Sequence, residues 1–302
     1  MASKNLLSVI DLVRFITRHP LNEKRKIAAL RRVLAWQVSS RLAPGPIAVS
    51  FVNDSELLVS AGMTGATGNI YTGLHEFEDM SFVLHALRDD DVFVDVGANV
   101  GSYTILAGAV VGAKCLAFEP IPETYRHLIR NINLNGIGAT VAAQNIGIGN
   151  EDGELRFSSD LDTVNHVLGA SEESAGGVAV PVKTLDAVAA DSHPAVIKID
   201  VEGFETSVID GGSATLRSES LLAVVMELNG SGARYGFDEN ALHQKMLKLA
   251  FQPVAYSPLD RRLTPLESKN TESGNTIYVR DIERMRSRLE NARPFVVHGQ
   301  TV

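Results

Sequence analysis

Cysteine is nearly absent from this sequence, because Cys115 is the single one among 302 residues. One cysteine excludes an intrachain disulfide, and its place inside a strand-like apolar run predicts a small core residue rather than a reactive thiol. Long hydrophobic runs are also missing, since no stretch reaches the roughly 18–20 apolar residues that a membrane span needs. Asp11 and Arg14 interrupt the apolar part of the N-terminus, which is not typical of a signal peptide. We therefore expect a cytoplasmic protein.

Positive charge is scarce outside the N-terminal segment. The formal net charge is −8, yet residues 1–41 hold nine Lys and Arg against Asp11 and Glu23, so this segment carries +7 and the remainder −15. An acidic body repels polyanions, so we expect no nucleic acid as substrate or partner. Hydrophobic content of 45% and charged content of 21% are those of an ordinary soluble globular protein.

Residues 1–42 are predicted to form two helices separated by HPLN. Apolar residues of the second helix recur at helical spacing in one narrow stripe, namely Ile27, Leu30, Leu34 and Val38. One interpretation is a basic interfacial pair of helices that touches a membrane surface or a partner, including a second copy of the chain. The other is a surface helix pair packed on the main domain, with Trp36 about half a turn from the stripe. We favour the second interpretation.

Composition divides the chain into four predicted segments. They are a basic helical arm (1–45), a β-rich segment (46–80), a domain of alternating strands and helices (81–280) and a C-terminal tail (281–302). Strands are predicted at 92–96, 114–118, 139–144, 196–199, 221–227, 253–256 and 275–279, and helices near 99–111, 122–135, 204–211 and 239–249. This alternation predicts an α/β fold with a mostly parallel sheet covered by helices on both faces. The long stretch 151–183 is predicted to hold a hairpin and an irregular, functional loop.

The stretch DVFVDVGANVGSYT, residues 91–104, reads as a strand, a glycine turn and a helix, which is an arrangement that binds nucleotide-type ligands. A dinucleotide fingerprint would need glycine at positions 97, 99 and 102, but Asn99 and Ser102 stand at the last two. The pattern present is Asp95 followed by Gly97 and Gly101. It resembles the first motif of class I S-adenosylmethionine-dependent methyltransferases.

This pattern suits S-adenosylmethionine, which has no phosphate and carries an ammonium and a sulfonium. A carboxylate at the strand end, Asp95, can orient the ammonium. The glycines let the backbone approach the amino-acid moiety. The helix beginning at Asn99 can offer free N–H groups to the ligand's carboxylate. We therefore assign Asp95, Gly97, Asn99 and Gly101 to cofactor binding.

Two further positions are candidates for the adenosine part of the ligand. Glu119 ends the next strand 22 residues after Gly97, where a carboxylate can accept both ribose hydroxyls. Asn145 and Ile146 follow the third strand and are candidates for the adenine pocket, although an Asn in such a loop is equally a turn residue.

Lys198, Asp200, Glu202 and Glu205 crowd the end of the fourth predicted strand, in VIKIDVEGFE. Five stretches of the sequence resemble, in the same order, the FkbM family of S-adenosylmethionine-dependent methyltransferases over roughly residues 91–280. They are FVDVGANVGSYT, AFEPIPETYRHLIRNINLN, VPVKTLDAV, IKIDVEGFETSVIDGG and AVVMELNG. The resemblance implies a seven-stranded methyltransferase sheet whose last strand, NTIYVR, is antiparallel. It also implies O-methylation, commonly of hydroxyls on sugars, glycans, glycolipids or secondary metabolites.

Two schemes of acceptor activation fit these residues. In the first, Asp200 or His166 removes the hydroxyl proton, with Lys198 and Glu202 beside it. In the second, a divalent cation lowers the pKa of the hydroxyl. The ligands would be Asp200, Glu227 and Asn229, whose placement resembles the metal set of catechol-type O-methyltransferases and would suit Mg²⁺. Glu227 could instead pair with Lys198, and His243 is predicted to be structural.

Two other functions remain open at this point. A nucleotide-sugar dehydrogenase or epimerase is disfavoured because Asn99 and Ser102 stand where its glycines would be. A non-catalytic domain could bind the cofactor and act as a scaffold in a glycan-assembly complex. The leading hypothesis is an O-methyltransferase that acts on the hydroxyl of a small molecule or glycan.

Overall fold

A computed structural model of this chain describes residues 2–43, 45–158, 165–169 and 177–302, with residues 2–9 described by their backbone alone. The chain begins with two helices, a two-stranded hairpin and two more helices. In order these are α1 (Ala2–Arg18), α2 (Lys26–Leu42), β1 (Ile47–Ser50), β2 (Glu56–Val59), α3 (Thr64–Thr72) and α4 (Phe77–Ala86). The two helices predicted within residues 1–42 are thus confirmed.

Strands and helices alternate through most of the remaining chain. They are β3 (Val92–Val96), α5 (Ser102–Ile105), which continues as a π-helical turn at Leu106–Val111, β4 (Lys114–Phe118), α6 (Pro122–Leu134), β5 (Val141–Gln144), β6 (Gly147–Gly149), β7 (Gly153–Phe157), β8 (Val178–Thr184), α7 (Leu185–Ala189), β9 (Val196–Ile199), α8 (Glu205–Asp210), β10 (Ala223–Glu227), α9 (Glu239–Lys248), β11 (Gln252–Ser257), β12 (Arg262–Pro265), β13 (Asn275–Val279), α10 (Ile282–Glu290), β14 (Val296–Val297) and β15 (Gln300–Thr301).

The central sheet has eight strands in the order β12-β11-β13-β10-β9-β3-β4-β5. The neighbouring strands β10, β9, β3, β4 and β5 are parallel to one another, and β13 runs antiparallel between β10 and β11. The seven predicted strands are all present, and β13 is the antiparallel strand that the family resemblance implies. The eighth strand, β12, forms a hairpin with β11 at the edge and was not predicted. The predicted α/β fold class is confirmed.

The two faces of the sheet follow from the alternation of side chains along its strands. Phe93 and Val196 belong to the core shared with α4, α5 and α10, whereas Val94 and Ile197 belong to the core shared with α8 and α9. Because side chains alternate, Asp95 lies on the same face as Phe93. Lys198 is its register partner on the neighbouring strand. The two charged side chains are therefore directed toward the layer that holds α4 and α5.

The segment 46–80 is β-structured only in its first part, because α3 and the start of α4 follow the β1–β2 hairpin. The Gly- and Thr-rich sequence of α3, TGATGNIYT, has low helix propensity. Tertiary contacts stabilise it instead, since Asn69 and Tyr71 are buried. Helix α4 is buried on nearly all sides, so its sequence has no polar stripe that would indicate a helix.

The N-terminal helices pack on the domain through one side. Ile16, Ala29 and Trp36 are buried there. The predicted apolar stripe of α2 points the other way, with exposed fractions of 77% for Ile27 and 65% for Leu34. The packed helix pair agrees with the interpretation that we favoured, while contact with a membrane or a partner stays a prediction. No described helix has the length and apolarity required to cross a bilayer.

The remaining expectations about the fold concern the stretch 151–183 and Cys115. The predicted hairpin exists, because β7 pairs antiparallel with β8. Parts of the predicted loop, residues 159–164 and 170–176, lie outside the described residues. Cys115 is 1% exposed, and burial raises the pKa of its thiol well above the usual value, as expected for a core cysteine.

Candidate active site

The candidate site lies at the carboxyl ends of β3, β4, β9 and β10, where open α/β sheets bind their ligands. Two adjoining pockets open there. The Glu119 pocket is lined by Glu119, Ile146, Phe157, Val167 and Phe204. The Lys198 pocket, of about 230 Å³, is lined by Asn69, Glu76, Asp95, Tyr103, Lys198 and Glu227. Gly97, Asn99, Asp200 and Glu202 line both pockets, so the two form one continuous crevice.

Gly97 makes the tight turn after β3 possible. Its φ of +77° is unfavourable for a residue with a side chain, and a Cβ there would lie 1.8 Å from the carbonyl oxygen of Asp200. The N–H groups of Gly97 and Ala98 donate to the carbonyl oxygen of Phe118 at 3.0 and 2.9 Å. The turn therefore brings the ends of β3, β4 and β9 into contact.

Glu119 is fixed in the crevice by two backbone donors. Its Oε2 accepts from the N–H of Asn99 and its Oε1 from the N–H of Ile121, both at 2.9 Å. Burial raises the pKa of Glu119 to about 7, against the lowering effect of these two N–H groups. Each carboxylate oxygen keeps a second lone pair that can accept from a ligand hydroxyl. This geometry suits a diol.

Asp95 is 1% exposed, and only one of its two carboxylate oxygens has a hydrogen-bond donor among the described residues. Its Oδ2 accepts from the hydroxyl of Thr104 at 2.6 Å, whereas its Oδ1 is buried with no hydrogen-bond partner among the described residues. Burial raises the pKa of Asp95, and the nearby ammonium of Lys198 opposes that rise. A buried acceptor without a donor indicates a place for a ligand group that can donate.

Lys198 is a buried ammonium held among carboxylates and an aromatic ring. Its Nζ lies 2.7 Å from Oδ2 of Asp200 and 4.8 Å from the centroid of the Tyr103 ring. Burial alone would lower the pKa of Lys198, but Asp200, Glu76 and Asp95 together raise it above its usual value. The lysine is therefore charged at neutral pH, and it pairs with Asp200 rather than with Glu227.

Three carboxylates meet beside this ion pair. Oxygens of Asp200, Glu202 and Glu227 all lie within 4.8 Å of one another. Burial and the neighbouring Asp200 raise the pKa of Glu202 to about 7 and that of Glu227 to about 9. Glu202 adopts a φ of +55°, which a residue with a side chain rarely does and which is a form of strain often found at functional sites. Protonated Glu227 and charged Lys198 together reduce the repulsion within this cluster.

Several predicted site residues have other positions or roles. Asn145 donates to the carbonyl oxygens of Glu119 and Pro120, both at 2.8 Å, so it supports the loop that carries Glu119. Ile146 lines the Glu119 pocket, and its assignment to the adenine stays a prediction. His166 is buried, and its neighbours Asn165 and Val167 line that pocket while His166 is not among the described lining residues. Its predicted role as a base therefore has no support from position.

The predicted metal set is brought together only in part. Asn229 is exposed, and its Oδ1 accepts from the N–H of Ser231 at 2.9 Å. Glu202 stands beside Asp200 and Glu227 where we expected Asn229. Glu205 accepts from the N–H groups of Val201 and Gly203 at 3.1 Å, which identifies it as a support for this loop. His243 is confirmed as structural, with its ring 2.9 Å from the hydroxyl of Tyr278.

Sequence reasoning missed the residues that close the Lys198 pocket from the N-terminal side. Glu76 accepts from the hydroxyl of Tyr103 at 2.8 Å and from the amide of Asn275 at 2.7 Å. Asn69 on α3 donates to the hydroxyl of Ser102 at 3.1 Å. Tyr103 could have been found, because it lies in the first turn after the glycines. Glu76 and Asn69 lie in a segment without a motif.

Comparison with known proteins places most of this site within a family. Residues 95–253 match the family model described as the Methyltransferase FkbM domain. Hexuronic acid methyltransferase AglP of Haloferax volcanii is 28% identical over 152 residues, which cover 49% of this chain and 61% of AglP. The match thus spans less than two thirds of AglP. Methyltransferase 1 of Beauveria bassiana is 25% identical over 217 residues, covering 64% of this chain and 86% of that protein.

Two solved structures illustrate the more distant likenesses. Precorrin-6y C5,15-methyltransferase of Geobacter metallireducens is 13% identical with a TM-score of 0.38, covering 68% of this chain and 87% of that one. Streptococcus pneumoniae Sp1610 in complex with S-adenosyl-L-methionine is 15% identical with a TM-score of 0.39, covering 67% and 70%. Both scores are below 0.5, so neither likeness carries a conclusion about activity.

Proposed function

This chain belongs to the FkbM methyltransferase family, and we propose that it transfers the methyl group of S-adenosylmethionine to a hydroxyl of a sugar or glycan. The observation that carries this proposal is the fixed carboxylate of Glu119, which accepts from Asn99 in the glycine turn and from Ile121 after β4 and lines the same pocket as Gly97. A hydroxyl of a secondary metabolite is the alternative acceptor. The name of AglP supports the sugar, but the match covers 61% of that protein.

The residues of the crevice fit the cofactor. Gly97 lets the ends of β3 and β9 approach closely beside the crevice, and Asp95 offers a buried oxygen without a donor among the described residues. Glu119 would hold the ribose hydroxyls, and Asp95 would orient the ammonium of the amino-acid part. Ile146, Phe157 and Val167 would cover the adenine with apolar surface. Bound S-adenosylmethionine supplies an electrophilic methyl on a sulfonium, whose leaving group is a neutral thioether.

The main tasks left to the protein are to align the acceptor oxygen and to remove its proton. We propose that a carboxylate oxygen of Glu202 accepts the proton of the acceptor hydroxyl. Glu202 lines the Lys198 pocket, and its pKa of about 7 suits a general base near neutral pH. Asp200 forms an ion pair with Lys198 at 2.7 Å and is suited to orient the acceptor hydroxyl. Lys198 holds Asp200 in place, and the ring of Tyr103 packs against the Lys198 ammonium. His166 has no part in this scheme.

A divalent cation on Asp200 and Glu227 is the weaker alternative. Lys198 already compensates the charge of Asp200 at 2.7 Å, and the third expected ligand, Asn229, is exposed and accepts from the N–H of Ser231. We therefore expect methyl transfer to survive dialysis against EDTA with most of its rate. A loss that added Mg²⁺ restores would reinstate the metal scheme.

The acidity of the Lys198 pocket indicates which sugars it accepts. Even with Glu227 protonated, the carboxyl groups of Asp200, Glu202 and Glu76 outnumber the ammonium of Lys198, so a carboxylate on the acceptor would meet repulsion. We propose a neutral sugar hydroxyl as acceptor, unlike the hexuronic acid in the name of AglP.

The test supplies the purified protein with tritiated S-adenosylmethionine and a panel of neutral sugars and uronic acids, each also presented as its octyl glycoside. We expect label on a neutral sugar and a product heavier by one methylene in mass spectrometry. Retention of NADH instead of S-adenosylhomocysteine would revive the oxidoreductase or epimerase. Binding of S-adenosylhomocysteine without any labelled hydroxyl would favour the scaffold.

A further inference from the structure

A second cavity adjoins the active site and has no role in the methyl-transfer scheme. We call it the N-terminal groove; it lies between α1, α2 and α3 and has a volume of about 580 Å³, within the range of small-molecule pockets. Its walls are mainly apolar and aromatic, namely Leu12, Phe15, Trp36, Ala61 and Tyr71. Phe15 and Leu12 expose 41% and 37% of their surface, whereas Trp36 and Tyr71 are nearly buried.

The groove borders the active site. Thr64 and His75 line both the N-terminal groove and the Lys198 pocket. His75 lies between them because its backbone N–H donates to Asn69 of the Lys198 pocket at 2.8 Å, while its ring meets the ring of Phe15 edge-on at 5.5 Å. The two cavities thus share a border at His75, whose ring packs closely against Gly68, and a molecule that occupied both would extend across that border.

The walls of the groove are held in place without a ligand. The side-chain amide of Gln37 donates to the hydroxyl of Tyr71 at 2.9 Å and so joins α2 to α3. Arg32 donates to the carbonyl oxygen of Tyr71 at 3.1 Å. A preformed apolar cavity of this kind binds hydrocarbon without first paying for its own ordering.

We infer that the acceptor is amphipathic, with its hydroxyl-bearing sugar in the Lys198 pocket and its hydrocarbon chain in the N-terminal groove. The polar pocket and the apolar groove, joined at His75, match the two ends of such a molecule. This inference rests on the proposed methyl transfer for the assignment of the sugar end, but the groove can be tested by binding alone.

Trp36 makes that test direct, because it is the only tryptophan of the chain and it lines the groove. Neutral alkyl glycosides whose chains end in bromine are titrated into the full-length protein below their micellar concentrations, and quenching of Trp36 fluorescence is followed. We expect the apparent Kd to tighten by about fourfold for each methylene that the groove covers, and then to reach a plateau. The chainless sugar should give no quenching.

A matched pair of variants separates the groove from the exposed apolar surface nearby. Phe15→Ala removes a groove wall, whereas Leu34→Ala removes a more exposed side chain of α2 outside the groove. We expect Phe15→Ala to weaken binding of the dodecyl glycoside by about tenfold and Leu34→Ala to leave it unchanged, with circular dichroism confirming that both fold. Equal loss in both variants, or quenching that ignores chain length, would mean nonspecific adsorption and overturn the inference.

Methyl transfer gives an independent second measurement. With the inference correct, kcat/KM for a long-chain glycoside exceeds that for the same free sugar at least tenfold, chiefly through KM. Equal kcat/KM for both acceptors would overturn the inference and leave the proposed methyl transfer intact. Chain-length-dependent quenching of Trp36 without any methyl transfer would support the groove and remove the proposed reaction.

Discussion

At the residue scale, the ionisation of Glu119 should control cofactor affinity. Ribose hydroxyls donate to the charged carboxylate, and the pKa of Glu119 in the free protein is raised to about 7 by burial. Ligand binding therefore competes with protonation below that value, so the affinity for S-adenosylhomocysteine should fall by up to tenfold per pH unit from pH 7 to pH 5.5. Calorimetric titrations across pH 5.5–8.5 measure this dependence. A flat profile would contradict the assignment.

Replacement of the same carboxyl gives a second prediction. Glu119→Gln puts an amide N–H₂ against one of the two backbone donors, from Asn99 or Ile121, and removes an acceptor from the diol. We expect S-adenosylhomocysteine to bind about 10- to 100-fold more weakly. Glu123→Gln, on an exposed carboxyl in the first turn of α6, is the matched control and should bind as the wild type does.

Glu202 carries the prediction about chemistry rather than binding. Glu202→Gln should lower kcat by about 10²–10⁴-fold while the affinity for S-adenosylhomocysteine stays within threefold. In the wild type, kcat should rise with pH to a plateau because the carboxylate is the active form of a base, and the pKa of about 7 in the ligand-free protein should appear in the profile of kcat/KM. Glu219→Gln, at an exposed carboxyl, serves as the control. An unchanged kcat in Glu202→Gln would return the role of base to Asp200.

Individual site residues were predictable where a motif fixed both spacing and direction. Asp95, Gly97 and Glu119 follow from strand ends and the glycine turn, and all three reach the crevice. Asn145 and Asn229 follow strand ends equally well, but their amides bond to nearby backbone groups. The sequence does not reveal which side of a loop a short polar side chain will take, since both choices satisfy its hydrogen bonds.

At the element scale, the glycine in the turn after β3 avoids two destabilising effects, an unfavourable φ and a steric clash, and comparison with two other glycines distinguishes them. Gly97→Ala combines an unfavourable φ with a clash against the backbone of Asp200, Gly136→Ala has only the positive φ of +67°, and Gly138→Ala has neither. We expect losses in the free energy of unfolding of more than 3, about 1 and less than 0.5 kcal/mol. Urea unfolding monitored by circular dichroism measures all three. Equal losses at Gly97 and Gly136 would mean that the backbone contact with Asp200 is easily relieved.

The elements that were predicted differ in kind from those that were missed. Strands β3, β9 and β10 are buried on both faces, so their sequences are short continuous apolar runs with clear ends. Helices α3 and α4 are stabilised by tertiary contacts around most of their surface, and neither has a helical stripe to recognise. These helices supply Asn69 and border Glu76, so half of the Lys198 pocket was missed with them.

At the scale of the whole molecule, exposed apolar surface is concentrated at one end. Among the described residues, nine of the thirteen large apolar side chains with substantial exposure lie on α1 and α2. The same segment carries a net charge of +7 on an otherwise acidic chain. Basic charge beside apolar side chains is the combination that binds anionic lipid surfaces. Such a surface would also deliver a chain-bearing acceptor to the N-terminal groove.

Peripheral membrane contact is therefore the prediction for the molecule as a whole. Deletion of residues 1–41 would remove the buried Ile16 and Trp36 and uncover the core against which they pack, so substitution is the better test. Ile27→Ser combined with Leu34→Ser removes outward-facing apolar area without touching the groove. We expect the wild type to co-sediment with anionic liposomes at low salt and to dissociate as salt rises, and the double variant to bind at least tenfold more weakly. Wild-type binding that the double variant retains would exclude this face as the lipid contact. If the double variant instead converts a dimer to a monomer in light scattering, the face joins two copies of the chain.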